Sequence, residues 1–288
     1  MILYMKKIIL LILAATLTAA SLSAGTFRTE TIEDQNMTRI YHLYLPDNYK
    51  EGSPLVFILH GYGGNAEGYQ QAFLPLAEEF GFVLCYPQGS PDYKGKNGWN
   101  VGYPSQKASM TVDDCKFIYH LTKHLQKTYK LSLKNTFFSG MSNGGEMCYL
   151  MAYRYPELFG AIASIAGLTL VEMAEKYEYK TPVPFMEVHG TTDKTSRWEG
   201  DPTNQYGWGA YLSVPVAVGA IVALNKCMFE EVTELPLIKN QVILHRYYGS
   251  PYGKEVRFYE VRGGGHNWAA DSFDTHRTVL EFFQSNLR

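Results

Sequence analysis

The stretch FFSGMSNGGEMCYLMAYRYP, residues 137–156, gives the clearest structural signal in the chain. An apolar run leads into Gly-Met-Ser-Asn-Gly at residues 140–144, and a helical pattern follows up to Pro156. A strand that turns at once into a helix needs a tight bend, and glycines two positions before and after the apex let the two elements approach. The stretch therefore predicts a G-x-S-x-G elbow that exposes the hydroxyl of Ser142 and leaves the N–H of Asn143 free. The alternative is a glycine-rich turn with an incidental serine.

Apolar runs alternate with helical patterns along the rest of the chain. Strands are predicted at residues 39–45, 55–59, 82–86, 136–139, 161–166, 185–188 and 256–261. Helices are predicted at residues 69–80, 111–129, 143–155, 214–224 and 275–286. Thr111 and Asp114 have the spacing of a capping box at the start of the second helix. The alternation favours an α/β fold with a mostly parallel sheet and helices on both faces.

Length and charge limit the classes of protein that the chain can be. The 288 residues are 46% hydrophobic and have a formal net charge of −2. The chain can therefore bury a large core, and it has no basic block with which to bind nucleic acid. No repeat or Pro/Ser-rich linker divides it, so we expect a single domain over residues 25–288.

The N-terminal residues have the layout of a secretory signal peptide. Lys6 and Lys7 form a short positive region, residues 8–17 are an apolar run, and residues 18–25 are small and polar. A membrane anchor needs roughly 20 apolar residues, and this run is shorter. We therefore expect residues 1–24 to be a signal peptide. The mature protein would be periplasmic or secreted and not attached to a membrane.

Export would allow the four cysteines to form disulfides. Cys85 lies in a predicted strand and Cys148 on an apolar helix face, which indicates buried small side chains. Cys115 and Cys227 are a possible pair, and the sequence leaves that pairing open.

A serine hydroxyl becomes a strong nucleophile only when a base takes its proton. In a fold with this elbow the chain order is serine, acid, histidine. His266 follows the last predicted strand in GGGHNW, residues 263–268, where the glycines allow a sharp loop. His245, in a strand-like run, and His276, on the last helix, are interpreted as structural. His266 is therefore the predicted base.

The acid that orients this base should follow a strand between the serine and the histidine. Asp193 comes after the predicted strand 185–188, in VHGTTD, and is predicted to accept a hydrogen bond from His266. Three other acidic residues in this region are weaker candidates: Glu187, Glu199 and Asp201. Two more are better explained as first-turn charges of a helix: Asp113 and Asp114.

The glycine-rich loop HGYGG, residues 60–64, follows the buried strand 55–59. Such a turn can direct a backbone N–H toward the space above Ser142. We therefore predict an oxyanion hole made of the N–H groups of Tyr62 and Asn143. The alternative is a tight connection with no further role.

Three histidines raise the alternative of a metal site: His60, His189 and His266. No H-E-x-x-H or equivalent spacing supports a metal. His60 and His189 each precede a glycine at a strand end, where a histidine often hydrogen-bonds the loop. We expect neither a metal nor a cofactor.

Several motifs resemble those of the secreted esterases that include feruloyl esterases, acetyl xylan esterases and short-type polyhydroxybutyrate depolymerases: HGYGGN, YPQG, GWN, VDD, SGMSNGG, MAYRYPELF, SIAG, VHGTTD and GGGHNW. The resemblance covers residues 38–286. It implies an α/β-hydrolase fold with Ser142, Asp193 and His266 as the catalytic triad. The predicted oxyanion groups fall on the matching positions.

The chain departs from these relatives after HGTTD. Residues 194–212 form a longer, aromatic-rich segment, which we expect to be a loop or lid beside the acid. Aromatic residues in such loops either stack on sugar or phenolic rings or pack the loop down. Four tryptophans are predicted to line the cleft and bind substrate: Trp99, Trp198, Trp208 and Trp268.

The leading hypothesis is a secreted serine esterase that hydrolyses feruloyl or acetyl esters on plant polysaccharide through an acyl-enzyme. Its partners would be ester-bearing polysaccharide fragments or small esters. The alternatives are a polyester depolymerase, an exopeptidase, and a non-catalytic binding protein on the same scaffold. The oligomeric state is left open.

Overall fold

The computed structural model describes residues 25–107, 109–177 and 181–288. Within these ranges the strands are β1 (Thr26–Asp34), β2 (Met37–Leu45), β3 (Leu55–Leu59), β4 (Val83–Pro87), β5 (Ser90–Pro91), β6 (Asn97–Gly98), β7 (Thr136–Met141), β8 (Ala161–Ile165), β9 (Phe185–Gly190), β10 (Phe229–Glu234), β11 (Val242–Tyr248) and β12 (Val256–Val261). The helices in the same ranges are α1 (Gln70–Phe80), α2 (Pro104–Lys107), α3 (Asp114–Thr128), α4 (Asn143–Arg154), α5 (Val171–Lys176), α6 (Val214–Asn225) and α7 (Thr275–Gln284), with a 3-10 helix at Pro156–Leu158.

Ten strands form one sheet in the order β1-β2-β4-β3-β7-β8-β9-β12-β11-β10, and β5 pairs separately with β6. The six central strands, from β4 to β12, are parallel. The two strands at each edge run antiparallel to their neighbours. Strands β3, β4, β7, β8 and β9 are buried along their whole length, as expected for parallel strands covered on both faces.

Helices cover both faces of this sheet. Side chains of α1 and α7 belong to the core on one face. Side chains of α3, α4 and α6 belong to the core on the other. The predicted α/β architecture is therefore confirmed. The carboxyl ends of β3, β7, β9 and β12 meet at one edge of the sheet, and this edge receives the loops that hold the candidate site.

The start of α3 differs from the prediction. The helix begins at Asp114, and its N-cap is Asp113, whose carboxylate accepts the N–H of Lys116 at 3.2 Å. The predicted start at Thr111 was therefore wrong. Asp114 is also more than a first-turn charge, because it is fully buried in an ion pair with Arg39 at 2.8 Å.

Edge strands were the elements that the sequence predicted least well. β1 was missed because its residues are mostly polar and exposed. β10 was missed because all six of its residues are exposed, so no period of burial marks it. An alternating pattern appears only where one face of a strand is covered.

The cysteines are all free thiols. Cys85 and Cys148 are fully buried, as predicted. Cys115 is buried and Cys227 half-buried, and no disulfide joins them. The predicted signal peptide, residues 1–24, lies outside the described residues. None of the helices in the described ranges has the length and apolar character needed to cross a bilayer.

Candidate active site

Ser142 lies at the bend between β7 and α4. Its backbone has φ 58° and ψ −121°, a conformation that costs of order 1–3 kcal/mol for a residue with a Cβ. A Cβ added to Gly140 would lie 2.6 Å from the carbonyl of Gly144, and a Cβ added to Gly144 would lie 2.7 Å from the oxygen of Leu59. The predicted need for glycine on both sides of the bend is confirmed.

The side chains of Ser142, His266 and Asp193 lie together. Nε2 of His266 is 2.9 Å from Oγ of Ser142, and its Nδ1 is 2.7 Å from Oδ2 of Asp193. A carboxylate only accepts, so Nδ1–H of His266 donates to Asp193 and leaves Nε2 to accept from the serine hydroxyl. The other oxygen of Asp193 accepts the N–H groups of Thr195 and Ser196, at 2.7 and 2.9 Å.

The acid turn and the histidine turn are joined through their backbones. Both the N–H and the hydroxyl of Thr192 donate to the carbonyl of Gly264, each at 2.9 Å. The N–H of Gly263 donates to the hydroxyl of Thr191, also at 2.9 Å. The turns after β9 and β12 therefore form one unit that fixes the distance between Asp193 and His266.

The weaker candidates for acid and base have other partners. Asp201 accepts the N–H groups of Gln205 and Tyr206, both at 2.9 Å. Glu199 is exposed. His245 lies between Glu230 and Glu260, and His276 stacks on Trp268.

The loop after β3 passes directly over Ser142. A Cβ added to Gly61 would lie 3.2 Å from Cβ of Ser142. Nδ1 of the buried His60 contacts the carbonyl of Gly61 at 2.7 Å, as predicted for a histidine that holds its loop. The C=O and N–H of a trans peptide point in opposite directions, so the N–H of Tyr62 faces away from His60. Within the described residues it donates to no protein acceptor.

The N–H of Asn143 is the first of α4 and likewise lacks an acceptor among the described residues. The Asn143 side chain is clamped by the backbone of Trp99, which donates to Oδ1 at 2.6 Å and accepts from Nδ2 at 3.1 Å. Nδ2 also donates to Oε2 of Glu146 at 3.2 Å. These bonds hold the residue whose N–H is the second predicted oxyanion donor.

Glu146 is a site residue that sequence reasoning missed. It is 2% exposed, and the hydroxyl of Tyr103 donates to its Oε2. Burial raises the pKa of Glu146 well above its usual range, which favours the neutral acid. The available signal was a lone carboxyl in the otherwise apolar first turns of α4. Tyr103 gave no comparable signal.

A small cavity adjoins Ser142. Its walls include Tyr62, Tyr103, Glu146 and Trp208, and its volume is about 10 Å³, close to the space that one water molecule needs. The Trp208 ring packs on Tyr62 and Tyr103, with centroids 5.9 and 5.2 Å apart. The aromatic loop 194–212 therefore reaches the cavity through Trp208, whose role in substrate binding stays a prediction.

Two of the other three tryptophans, Trp99 and Trp268, are placed differently from the prediction. Trp99 is fully buried, and its Nε1–H donates to the carbonyl of His60 at 2.9 Å, so its ring supports the oxyanion loop from beneath. Trp268 is buried against Phe73 and His276 and faces α1 and α7. Neither ring offers a surface to substrate, because core packing at these positions covers it. Trp198 is half-buried and stacks on Phe258 at 5.6 Å, beside the acid turn.

The three histidines considered for a metal do not converge. His60 contacts Gln88 and the N–H of Gly89 through Nε2. His189 contacts Glu187 at 2.9 Å through Nδ1. The described ranges contain no group of three or more His, Cys, Asp or Glu side chains arranged to hold a metal ion.

Solved structures identify the fold as that of the α/β hydrolases. An acetyl xylan esterase from Aspergillus awamori superimposes with a TM-score of 0.62 at 18% identity, over 90% of this chain and 99% of that one. An S-formylglutathione hydrolase from Agrobacterium tumefaciens gives a TM-score of 0.60 at 13% identity, over 91% and 95% of the two chains.

Sequence comparison is more specific. Residues 39–176, just under half of the chain, match the family model described as esterase PHB depolymerase. Feruloyl esterase B of Neurospora crassa is 31% identical over 54% of this chain and 54% of its own length. A probable acetylxylan esterase A of Aspergillus clavatus is 32% identical over 50% of this chain and 47% of its own. The chain thus spans about half the length of these relatives. The predicted resemblance is confirmed, and the protein is a relative of these esterases.

Proposed function

We propose that the protein is a serine carboxylic-ester hydrolase that works through an acyl-enzyme. The observation that supports this most directly is the chain of contacts from Ser142 through His266 to Asp193, at 2.9 and 2.7 Å. Oγ of Ser142 attacks the ester carbonyl while Nε2 of His266 takes its proton. His266 then protonates the leaving alcohol, and water releases the acid by the same steps in reverse.

The tetrahedral intermediate carries a negative oxygen that the site must stabilise. The N–H groups of Tyr62 and Asn143 are proposed to bind it. Each contributes roughly 3 kcal/mol to the transition state, the usual effect of one such donor. This contribution requires that both N–H groups keep a fixed orientation. His60 and Trp99 hold the loop that contains Tyr62, and Glu146 holds the side chain of Asn143.

The proposed substrates are acetyl esters on plant polysaccharide or small acetyl esters. The cavity beside Ser142 has room for a group the size of a methyl, and Trp208 limits its extension. A feruloyl group is far longer and would need Trp208 to move. Feruloyl esters are therefore the second choice, favoured only by the name of the Neurospora relative. Export is part of the proposal and depends on the pattern of residues 1–24.

An ester panel run on the wild type and the Ser142→Ala variant tests the proposal. We expect turnover of 4-nitrophenyl acetate and acetylated xylan, less of methyl ferulate, and a loss of roughly 10⁴-fold or more in Ser142→Ala. The control is Ser285→Ala, which removes an exposed hydroxyl at the end of α7.

A fluorophosphonate probe separates the remaining alternatives. Labelling of the wild type but not of Ser142→Ala supports an enzyme, whereas an unlabelled wild type that turns over no ester contradicts the proposal and favours a binding protein. Turnover of short polyester oligomers alone would favour the depolymerase.

A further inference from the structure

A second buried acid–histidine pair lies behind the candidate triad. Glu187 and His189 are both on β9, and both side chains are completely buried. Nδ1 of His189 is 2.9 Å from Oε1 of Glu187, and its Nε2 is 2.7 Å from the carbonyl oxygen of Ser196. The reaction proposed above uses neither residue.

The contacts of His189 determine where its protons lie. The carbonyl of Ser196 can only accept, so Nε2 of His189 must carry a hydrogen. A carboxylate at Glu187 is likewise an acceptor, and it requires a hydrogen on Nδ1. Both ring nitrogens are therefore donors when Glu187 is ionised, which makes His189 an imidazolium.

This imidazolium faces the candidate acid. Nε2 of His189 is 3.6 Å from Oδ2 of Asp193, an ion-pair distance rather than a hydrogen bond. Oδ2 is also the oxygen that accepts from Nδ1 of His266. One carboxylate oxygen thus lies between two histidines, one exposed to the cleft and one buried.

The groups around the pair oppose the effect of burial on its charges. Burial alone would lower the pKa of His189, but the hydrogen bond and charge of Glu187, the Ser196 carbonyl and the charge of Asp193 raise it above the usual value. Burial raises the pKa of Glu187, and His189, Ser164 of β8 and Tyr149 of α4 oppose that rise. Two further neighbours complete the surroundings: the thiol of Cys148, whose pKa is raised by burial and by Glu187, and the ring of Trp198.

We propose that Glu187 and His189 are positioning residues for the triad: Glu187 keeps His189 as an imidazolium, whose Nε2–H binds the Ser196 carbonyl in the acid turn and whose charge partly offsets that of the Asp193 carboxylate. The inference depends on the proposed function, in which Asp193 orients the base His266.

The sign of the effect follows from the charges. The carboxylate of Asp193 stabilises the imidazolium that His266 forms during the reaction. A positive charge on His189 beside the same oxygen reduces that stabilisation. Loss of the charge on His189 should therefore stabilise that imidazolium further, and activity should begin only at higher pH.

The test is Glu187→Gln, studied through the pH dependence of kcat/KM. Glutamine keeps the shape and can donate to Nδ1 of His189, so Nε2–H remains while the charge is lost. We expect the acid limb of kcat/KM to move to higher pH by roughly half a unit to one unit. The matched control is Glu260→Gln on β12, which pairs in register with His189 but has partly exposed partners in Arg262 and His245.

The ring nitrogens of His189 in the wild type give an independent test if Glu187→Gln fails to fold. Nitrogen-15 NMR should show both nitrogens protonated from pH 5 to 8. A neutral ring, or an acid limb that moves equally in Glu187→Gln and Glu260→Gln, overturns the inference. The nitrogen-15 measurement needs no substrate, so it is separate from the proposed function, which fails if the wild type neither hydrolyses esters nor reacts with a fluorophosphonate.

Discussion

At the scale of single residues, Glu146 shows how burial changes the chemistry of a side chain. It lies one turn after Ser142, where a charged carboxylate would repel the oxyanion. Burial raises its pKa and so favours the neutral acid, which can accept from Tyr103 and Asn143 without adding a negative charge beside the reaction. A neutral acid therefore anchors the oxyanion donor at little electrostatic cost.

The raised pKa of Glu146 predicts a pH-dependent stability. In the unfolded chain a glutamate ionises near pH 4.3, whereas the folded pKa is raised, so the folded state binds more protons above that pH. Stability should therefore fall as pH rises from about 4.3 to the folded pKa. Glu146→Gln does not titrate in this range. Its free energy of unfolding should therefore rise relative to that of the wild type by up to about 1.4 kcal/mol per pH unit.

Urea unfolding of both proteins between pH 4 and 7 measures this gain. Glu172→Gln is the control, because Glu172 is exposed beside Lys107 and its difference from the wild type should not rise in this way. A constant difference between Glu146→Gln and the wild type would mean that Glu146 is ionised in the folded protein.

At the scale of the elements, the site is built from turns at one edge of the sheet. The elbow joins β7 to α4, the oxyanion loop follows β3, and the acid and base turns follow β9 and β12. Parallel strands place all four carboxyl ends at the same edge, so residues far apart in sequence need only short turns to meet. The elbow is the most demanding of these connections, because its two elements approach at backbone contact.

That close approach predicts opposite effects at two glycines. Gly144→Ala would place a Cβ 2.7 Å from the oxygen of Leu59 and 2.9 Å from that of His60. We expect the free energy of unfolding to fall by about 1–3 kcal/mol and fluorophosphonate labelling to be much slower. Gly219→Ala in α6 meets nothing within 4 Å and should add about 0.5–1 kcal/mol. Thermal and urea unfolding compare the two, and equal effects would contradict the close-packed elbow.

At the scale of the whole molecule, a buried ion pair ties an edge of the sheet to a helix. The guanidinium of Arg39 on β2 is 2.8 Å from Oδ1 of Asp114 at the start of α3 and lies 3.7 Å over the Phe117 ring. Asp114 also accepts the N–H of Asn100 at 2.7 Å. The backbone of the preceding residue, Trp99, clamps the side chain of Asn143. The pair thus links an edge strand, a helix and the support of the oxyanion donor.

Removal of the Arg39 guanidinium should destabilise the fold. Arg39→Met leaves Asp114 buried without its partner, and we expect the free energy of unfolding to fall by about 3–5 kcal/mol. The double variant Arg39→Met/Asp114→Asn keeps an acceptor for the N–H of Asn100 and should recover much of that loss of stability. Arg277→Met breaks an exposed pair with Glu79 and should change little. Urea unfolding gives all three values, and a loss for Arg39→Met no larger than for Arg277→Met would refute this account.

Much of the candidate site could be predicted from the sequence, because its parts follow strand ends that are strongly apolar. Ser142, Asp193 and His266 each come just after such a run or within a glycine-rich turn. The order of the three along the chain then restricts which side chains can meet. For these residues, local pattern and topology point to the same place.

The rest depends on packing that a linear pattern does not contain. Trp99 and Trp268 are near Ser142 and His266 in the fold, but only the surrounding core decides that their rings face inward. Glu187 was considered as a rival acid because its position in a strand does not reveal its partner. That partner, His189, is two residues away on the same face of the strand, and its proton is assigned by the carbonyl of Ser196 across a turn.

Hydrogen bonds between the turns after β9 and β12 hold the acid and the base together independently of the long segment between them. Residues 194–262 connect the two turns, and the bonds between residues 191–192 and 263–264 already hold the two ends of this segment close to each other. Lengthening a flexible loop within such a segment costs little, roughly 0.6 kcal/mol for each doubling of its length. The exposed parts of the aromatic loop and of the hairpin of β10 and β11 can therefore change in length at little cost. New specificities can evolve there while the acid and the base keep their spacing.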